Sequence, residues 1–374
     1  HELGHFLAAK LTGVYAPVFS LGWGGRLFGV RHGETDYRVS LIPLGGFVRM
    51  ASRDDESMAG IEGGSDRGSL GAAIERPADV SPALWDANSM APFGPKAVPA
   101  DRWVENKSTS ARVFILSAGV IMNILLTLVV STGIYYRAGN TYVPAVIDSV
   151  VPGAPAAVAG LTGGDRIVGI NGRPIRAWDE VLDEVAPVTT GSLRVEIQRG
   201  DTRFMKVITP QTAEIDDPVT GAKKTVGRIG IQVRALTVNE PLSFVGAMSA
   251  GGVATWRMAT SVASVLGGLA SGQVSAKNLG GPIQIARTSV QAAKRGAETL
   301  WSLIAFLSLN IAILNLVPIP VLDGGQILLV LAERVKGSAF SGRVREGFAR
   351  VGVLAVLALI VLVTFNDLRN LFTN

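Results

Sequence analysis

The sequence predicts a polytopic α-helical membrane protein of about four spans, with a β-hairpin near its start and an α+β domain inserted between spans. Three observations carry this expectation. Of 374 residues, 48% are hydrophobic and only 17% charged, and the mean hydropathy is +0.35, which is too apolar for an ordinary soluble domain. Apolar runs at 113–136, 301–317 and 351–365 have spanning or near-spanning length. From Tyr142, between the first two runs, the chain turns to short alternating strands separated by glycine turns.

The composition excludes several function classes. There is no cysteine, so disulfides, Cys-ligated zinc and iron–sulfur clusters are ruled out. The net charge of +5 and pI near 9.6 are explained by basic loops beside spans in contact with membrane lipid. No nucleic-acid motif accompanies them, so no nucleic-acid partner is expected.

In chain order, residues 1–18 read as the C-terminal part of a first transmembrane helix. The apolar residues after His5 stop at Lys10, and a span needs about 20, so most of that helix is expected upstream of His1. Residues 19–50 read as a β-hairpin, with strands at 27–30 and 37–42, a turn over 31–36 and glycines at 22, 24, 25, 45 and 46 marking turns or close approach. Residues 51–107, rich in Ser, Asp, Gly, Ala and Pro, read as a long cytoplasmic loop, largely disordered. A second span is expected over 108–138. The inserted α+β module is placed at 142–211, with one helix at 178–186. Residues 212–297 read as a linker and membrane-surface amphipathic helices. A third span, 298–333, is broken by Pro318, Pro320 and Asp323-Gly324-Gly325, and a fourth occupies 347–367. Basic residues between the first and second spans, and again between the third and fourth, put both loops in the cytoplasm. The module then lies on the extracytoplasmic side.

The chemistry starts at His1-Glu2-Leu3-Gly4-His5, an H-E-x-x-H motif. On a helix, its first and fifth residues share one face, bringing two imidazoles to one metal ion with Glu2 placed to take a proton from water. A chance match on an amphipathic helix is the bland alternative. Hydrolytic zinc sites use three protein ligands and leave a position for water. With only His32 left among the histidines, in a polar turn and expected to be solvated, the third ligand is sought among carboxylates. Asp323 is the best candidate, because an ionisable residue within an apolar stretch is costly unless it has a function or a partner. Its other reading is an N-cap or turn residue just beyond the membrane. Glu333-Arg334 reads as a juxtamembrane charge pair, and Trp301 and Tyr135-Tyr136 as interfacial anchors.

Taken together, H-E-L-G-H, a soluble insert between spans, and Asn315-Leu316-Val317-Pro318-Ile319-Pro320-Val321-Leu322-Asp323-Gly324-Gly325 resemble the site-2 protease family of intramembrane zinc metalloproteases, nearest the bacterial regulators of sigma-E type. Gly33–Tyr37 with Ile42–Val48 is similar to the family's membrane-reentrant β-hairpin. Pro155-Ala156-Ala157, Ala159-Gly160-Leu161, Gly164–Ile167 and Ile170-Asn171-Gly172 resemble a bacterial PDZ domain, and Lys277–Ile283 the family's pre-helix segment. The resemblance implies Zn2+ bound by His1, His5 and Asp323, Glu2 as the catalytic base, and substrate held by Asn315 and by a strand edge carrying Gly45 and Gly46. It implies a multi-pass protein of the cell inner (cytoplasmic) membrane with an extracytoplasmic PDZ domain. The implied substrate is a single-pass membrane protein, of anti-sigma factor or remnant signal peptide type, with a peptide carboxyl terminus as a partner for the PDZ domain. Three features depart from the family pattern: the missing upstream half of the first helix, Val120 where proline is more usual, and one PDZ domain with the insertion at 51–107. Two further readings are an inactive membrane scaffold that binds partners through the PDZ domain, and a transporter with a broken helix at 318–323.

Overall fold

The structure, a computed structural model, describes residues 1–52, 98–216, 223–233, 236–274 and 280–373. It has two compact units, His1–Thr127 with Ile304–Leu362 and Leu128–Leu303 with Val363–Asn374.

The first unit begins with α1 (Glu2–Leu11). Thr12 Oγ1 donates to the carbonyls of Ala8 and Ala9 at 2.8 and 3.1 Å, and Gly13 turns left-handed with φ 71°. Together these stop the helix at Leu11, short of the expected residue 18. Ala8, Ala9 and Val14 pack with Ile115 and Ala118. Two strands follow, β1 (Val18–His32) and β2 (Thr35–Arg49), joined by a turn at Gly33-Glu34. Both are much longer than the expected 27–30 and 37–42, and residues 31, 32, 35 and 36 belong to the ladder rather than the turn. The register explains the length. Arg26–His32 pairs with Thr35–Ser40, while Val18–Leu21 pairs on one side with Asp36–Val39 and on the other with Gly46–Arg49. The hairpin therefore curls on itself, and among the described residues no strand covers the far side of Gly46–Arg49.

Residues 53–97, most of the stretch read as a disordered loop, lie outside the described residues. Its end differs from that reading. Residues Ala100–Arg102 and Val104–Asn106 form 3-10 turns, and Val98 and Trp103 are buried with Tyr15 and Ala51. Arg102 reaches the hairpin tip, where it and Lys10 donate to Glu34 at 2.7 Å.

Among the described residues, the further helices of eight residues or more are α2 (Thr109–Ala138) in the second-span position, α3 (Trp178–Val185) in the module, α4 (Phe244–Ala270), α5 (Pro282–Arg295), α6 (Ala297–Leu316), α7 (Asp323–Lys336) and α8 (Gly342–Thr373). Among the described residues, three stretches are long and apolar enough to cross a membrane: α2, α6 and Gly342–Arg369 of α8. The expected third span is thus two helices, α6 and α7. Pro318 and Pro320 cannot continue the backbone ladder of α6, and α7 restarts at Asp323. Gly324 and Gly325 let that restart pack tightly, since a Cβ would lie 2.4 Å from the Leu316 carbonyl oxygen and 2.1 Å from that of Ile319.

In the second unit, β3 (Asn140–Tyr142) follows α2 after Gly139 alone and pairs with β12 (Val238–Glu240). Between them lie β4 (Ile147–Val150), a four-residue helix Pro155–Val158, β5 (Arg166–Ile170), β6 (Arg173–Pro174), α3, β7 (Leu193–Arg199), β8 (Thr202–Ile208), β9 (Gln211–Asp216), β10 (Lys223–Arg228) and β11 (Ile231–Val233). A sheet of order β6-β5-β7-β8 carries the core. Leu193, Val195 and Ile197 alternate inward, as a half-buried strand requires, and meet Ile167, Ile170 and the Val181 and Val185 side chains of α3. The module does not close at residue 211. Pairing of β11 with β4 and burial of Ile229 in the core extend it into the stretch read as linker, and among the described residues α4 and α5 are the helices that follow it. Asp367 of α8 accepts from the backbone N–H groups of Gly281, Ile283 and Gln284 and so caps α5. Lys277–Leu279, part of the resembled pre-helix segment, lie outside the described residues.

Candidate metal centre

α1 puts His1 and His5 one turn apart, with their Nε2 atoms 3.1 Å from each other and their rings edge to face at 4.6 Å. The Ile115 carbonyl of α2 lies 2.8 Å from His5 Nδ1. A carbonyl only accepts, so Nδ1 carries the proton and Nε2 turns a lone pair inward. Two carboxamides flank His1: Asn315 Nδ2 is 2.9 Å from Nε2 and Asn123 Nδ2 is 3.5 Å from Nδ1.

The break after α6 brings in the third donor. Asp323 Oδ2 is 3.2 Å from His1 Nε2 and 3.5 Å from His5 Nε2. That oxygen is buried and has no hydrogen-bond partner. The turn reading does not describe this residue: the N-cap of α7 is Leu322, and no side chain caps the helix. An uncompensated buried carboxylate oxygen facing two imidazole nitrogens is costly by itself. It fits a cation. Ligand atoms about 2.1 Å from a tetrahedral ion stand roughly 3.4 Å apart, close to the separations between these three donors. Among the described residues, His1, His5 and Asp323 form the group whose ligand atoms, all within 4.8 Å of one another, could hold a metal.

Glu2, Asn315, Gly45 and Gly46 all line the same cavity as the three donors, with Ile311 from α6 and Val321 and Leu322 from the break. Its volume is about 760 Å³. A Cβ on Gly46 would lie 3.4 Å from Glu2 Cγ, so β2 runs directly beside the acid. His32, by contrast, lies exposed in β1, away from this group. The residue-by-residue reading missed Gly119. A Cβ there would fall 2.4 Å from His5 Nε2 and 2.8 Å from His1 Nδ1, so α2 can approach the imidazoles only through a glycine. Its sole sequence signal is a glycine inside a strongly apolar helical run.

The model of Peptidase family M50 matches residues 1–359. Zinc metalloprotease RasP of Bacillus licheniformis is 30% identical over 414 residues, covering 100% of this chain and 96% of that protein. Zinc metalloprotease RasP of Geobacillus kaustophilus is 29% identical over 413 residues, with 100% and 95% covered. The regulator of sigma-W protease RasP of Bacillus subtilis is 28% identical over 417 residues, with 100% and 95% covered.

Proposed function

The chain belongs to peptidase family M50 and is a zinc metalloprotease of the membrane, and from that premise we propose that His1, His5 and Asp323 hold the zinc and that Glu2 is its catalytic base. The carrying observation is the convergence of two imidazole nitrogens and an uncompensated carboxylate oxygen beside Glu2. Zinc held there would supply Lewis-acid polarisation of a scissile carbonyl and would acidify a water. Glu2 is placed to take a proton from the attacking water and to return it to the amine as the C–N bond breaks. The Ile115 carbonyl fixes the tautomer of His5.

The substrate is a single-pass membrane protein, of anti-sigma factor or remnant signal peptide type. The relative named a regulator of sigma-W protease supports this direction. A membrane helix satisfies every backbone group internally, so it must unwind before its carbonyl can react. Gly46–Val48, beside whose far edge no strand lies among the described residues, offers replacement hydrogen bonds by strand addition, with Asn315 and Gly45 holding the extended segment. On this reading the curled hairpin is membrane-reentrant. The module is a PDZ domain on the extracytoplasmic side of the inner membrane, and it limits which substrates are cut. A groove between α3 and residues 227–232 is its site for a peptide carboxyl terminus. The scaffold reading leaves Glu2 beside the donor set without a use.

Glu2→Gln tests the assignment, with zinc content and cleavage of a single-pass substrate measured in vesicles. Bound zinc with turnover reduced about 100- to 10,000-fold is expected. Near-normal turnover removes Glu2 from the mechanism.

A further inference from the structure

Glu333 lies near the opposite end of α7 from Asp323. It is 6% exposed, and its two carboxylate oxygens are shared by three elements. Oε2 accepts from Arg112 in the first turn of α2 at 3.2 Å. Oε1 accepts from Arg345 at the start of α8 at 2.6 and 3.2 Å. Oε1 also accepts from the Phe340 backbone N–H at 3.0 Å. A buried ion pair of this kind is no route to stability, because apolar residues of similar volume commonly do as well or better. Its effect is positional: packing between apolar helix faces restrains sliding weakly, whereas a buried charge has one place to be.

Two of the helices it joins, α2 and α7, frame the donor set. Arg112 precedes Ile115 and Gly119, whose carbonyl and bare Cα seat the imidazoles. Asp323 opens the helix that Glu333 nearly ends, about 15 Å away at 1.5 Å per residue. Between them, Gly324 and Gly325 rest on the 316–320 turn and form a bearing for α7. A rod with a bearing near one end and a tether at the other delivers its first residue to a fixed point. If the tether is released, a small tilt about the bearing displaces the Asp323 carboxylate, and zinc sites tolerate ligand errors of only about 0.2 Å.

We propose that Glu333 is a positioning residue for the metal site, acting through Arg112 and Arg345 to set the distance of Asp323 from His1 and His5. This rests on the ligand assignment made above. The experiment compares the full-length purified protein with Glu333→Gln, Glu333→Ala, Arg112→Gln and, as a control, Asp323→Ala. Zinc affinity is read by chelator competition, the visible bands of the cobalt-loaded protein report ligand geometry, and the melting temperature of the metal-free protein reports the fold. Glu333→Ala should lose zinc affinity about 10- to 100-fold and change the cobalt bands, and it should also lower metal-free melting, because Arg112 and Arg345 are left without their buried partner. Glu333→Gln, which keeps one acceptor oxygen but loses the other and the charge, should fall between it and the parent. If Glu333→Ala does not fold, Arg112→Gln carries the same comparison. Parental zinc affinity and cobalt bands in the Glu333 and Arg112 variants, with only melting lowered, overturn the proposal. Parental zinc affinity in Asp323→Ala overturns the ligand assignment instead.

Discussion

Gly119 shows how much of the site depends on an atom that is absent. Its neighbours are the two imidazoles, and a methyl group there would fall 2.4 Å from His5 Nε2 and 2.7 Å from His1 Cε1. Alanine is the better helix former by about 1 kcal/mol, so Gly119→Ala sets two effects against each other. Helix α2 gains locally, while the histidines must rotate away from Asp323. The expected outcome is a metal-free protein at least as resistant to heat as the parent, with zinc affinity lowered about 10-fold or more. Chelator competition and calorimetry on one preparation decide it, and unchanged zinc affinity would mean that α1 yields instead. Asp323 is the reverse case. A charge in an apolar run announces itself, so the residue was legible in the sequence, whereas a glycine in a helix among Ser, Ala and Val says nothing until its neighbours are known.

At the scale of elements, long uniform patterns could be read and returning ones could not. α2 and the proline break before α7 follow from apolar length and missing N–H donors, both local properties. The hairpin strands were read too short because Gly22, Gly24 and Gly25 look like punctuation. In the structure they lie inside β1, and a Cβ on Gly22 would sit 2.5 Å from the Ile42 carbonyl oxygen, where the curled strands cross closely. β11 was missed because three residues carry no periodicity, and its partner β4 is remote in the chain. The hairpin tip carries its own prediction. Arg102 donates two 2.7 Å bonds to Glu34. These, opposed by partial burial and reinforced by Lys10, hold the Glu34 carboxyl down to about 2 from the usual 4.5. A depressed folded value means that the contribution is full above about 4.5 and is lost as pH falls toward 2. Both partners are partly exposed, so screening limits it to about 1 kcal/mol. Protection of the hairpin amides, taken relative to the intrinsic exchange rate at each pH, should therefore fall between pH 5 and pH 3 in the parent. In Arg102→Gln that protection should already be lower at pH 5 and change less on acidification. An equal pH response in both would remove this pair as the anchor of the tip.

At the scale of the whole molecule, the module enters and leaves at one point. β3 and β12 pair at its base, Asn140 opposite Glu240 and Tyr142 opposite Val238, and α2 hands over to β3 through Gly139 alone. Residues 143–237 can therefore be replaced by a short Gly-Ser linker while that base is kept. An excision ending at 211 would instead leave β11 without its partner β4 and expose Ile229. The excised protein separates two roles for the domain. If the module excludes substrates by bulk, as the short handover favours, the excised enzyme should gain cleavage of a membrane substrate that still carries its folded ectodomain, and keep cleavage of the trimmed form. If the groove beside α3 instead recruits a freshly exposed carboxyl terminus, excision should lose the trimmed substrate and gain nothing on the long one. Zinc content of the excised protein must first equal the parent's, so that any loss is assigned to substrate handling rather than to the metal centre. Exclusion is the expected result. Cleavage of the trimmed substrate lowered by 10-fold or more after excision, a recognition contribution of about 1.4 kcal/mol, would assign the domain to recruitment instead.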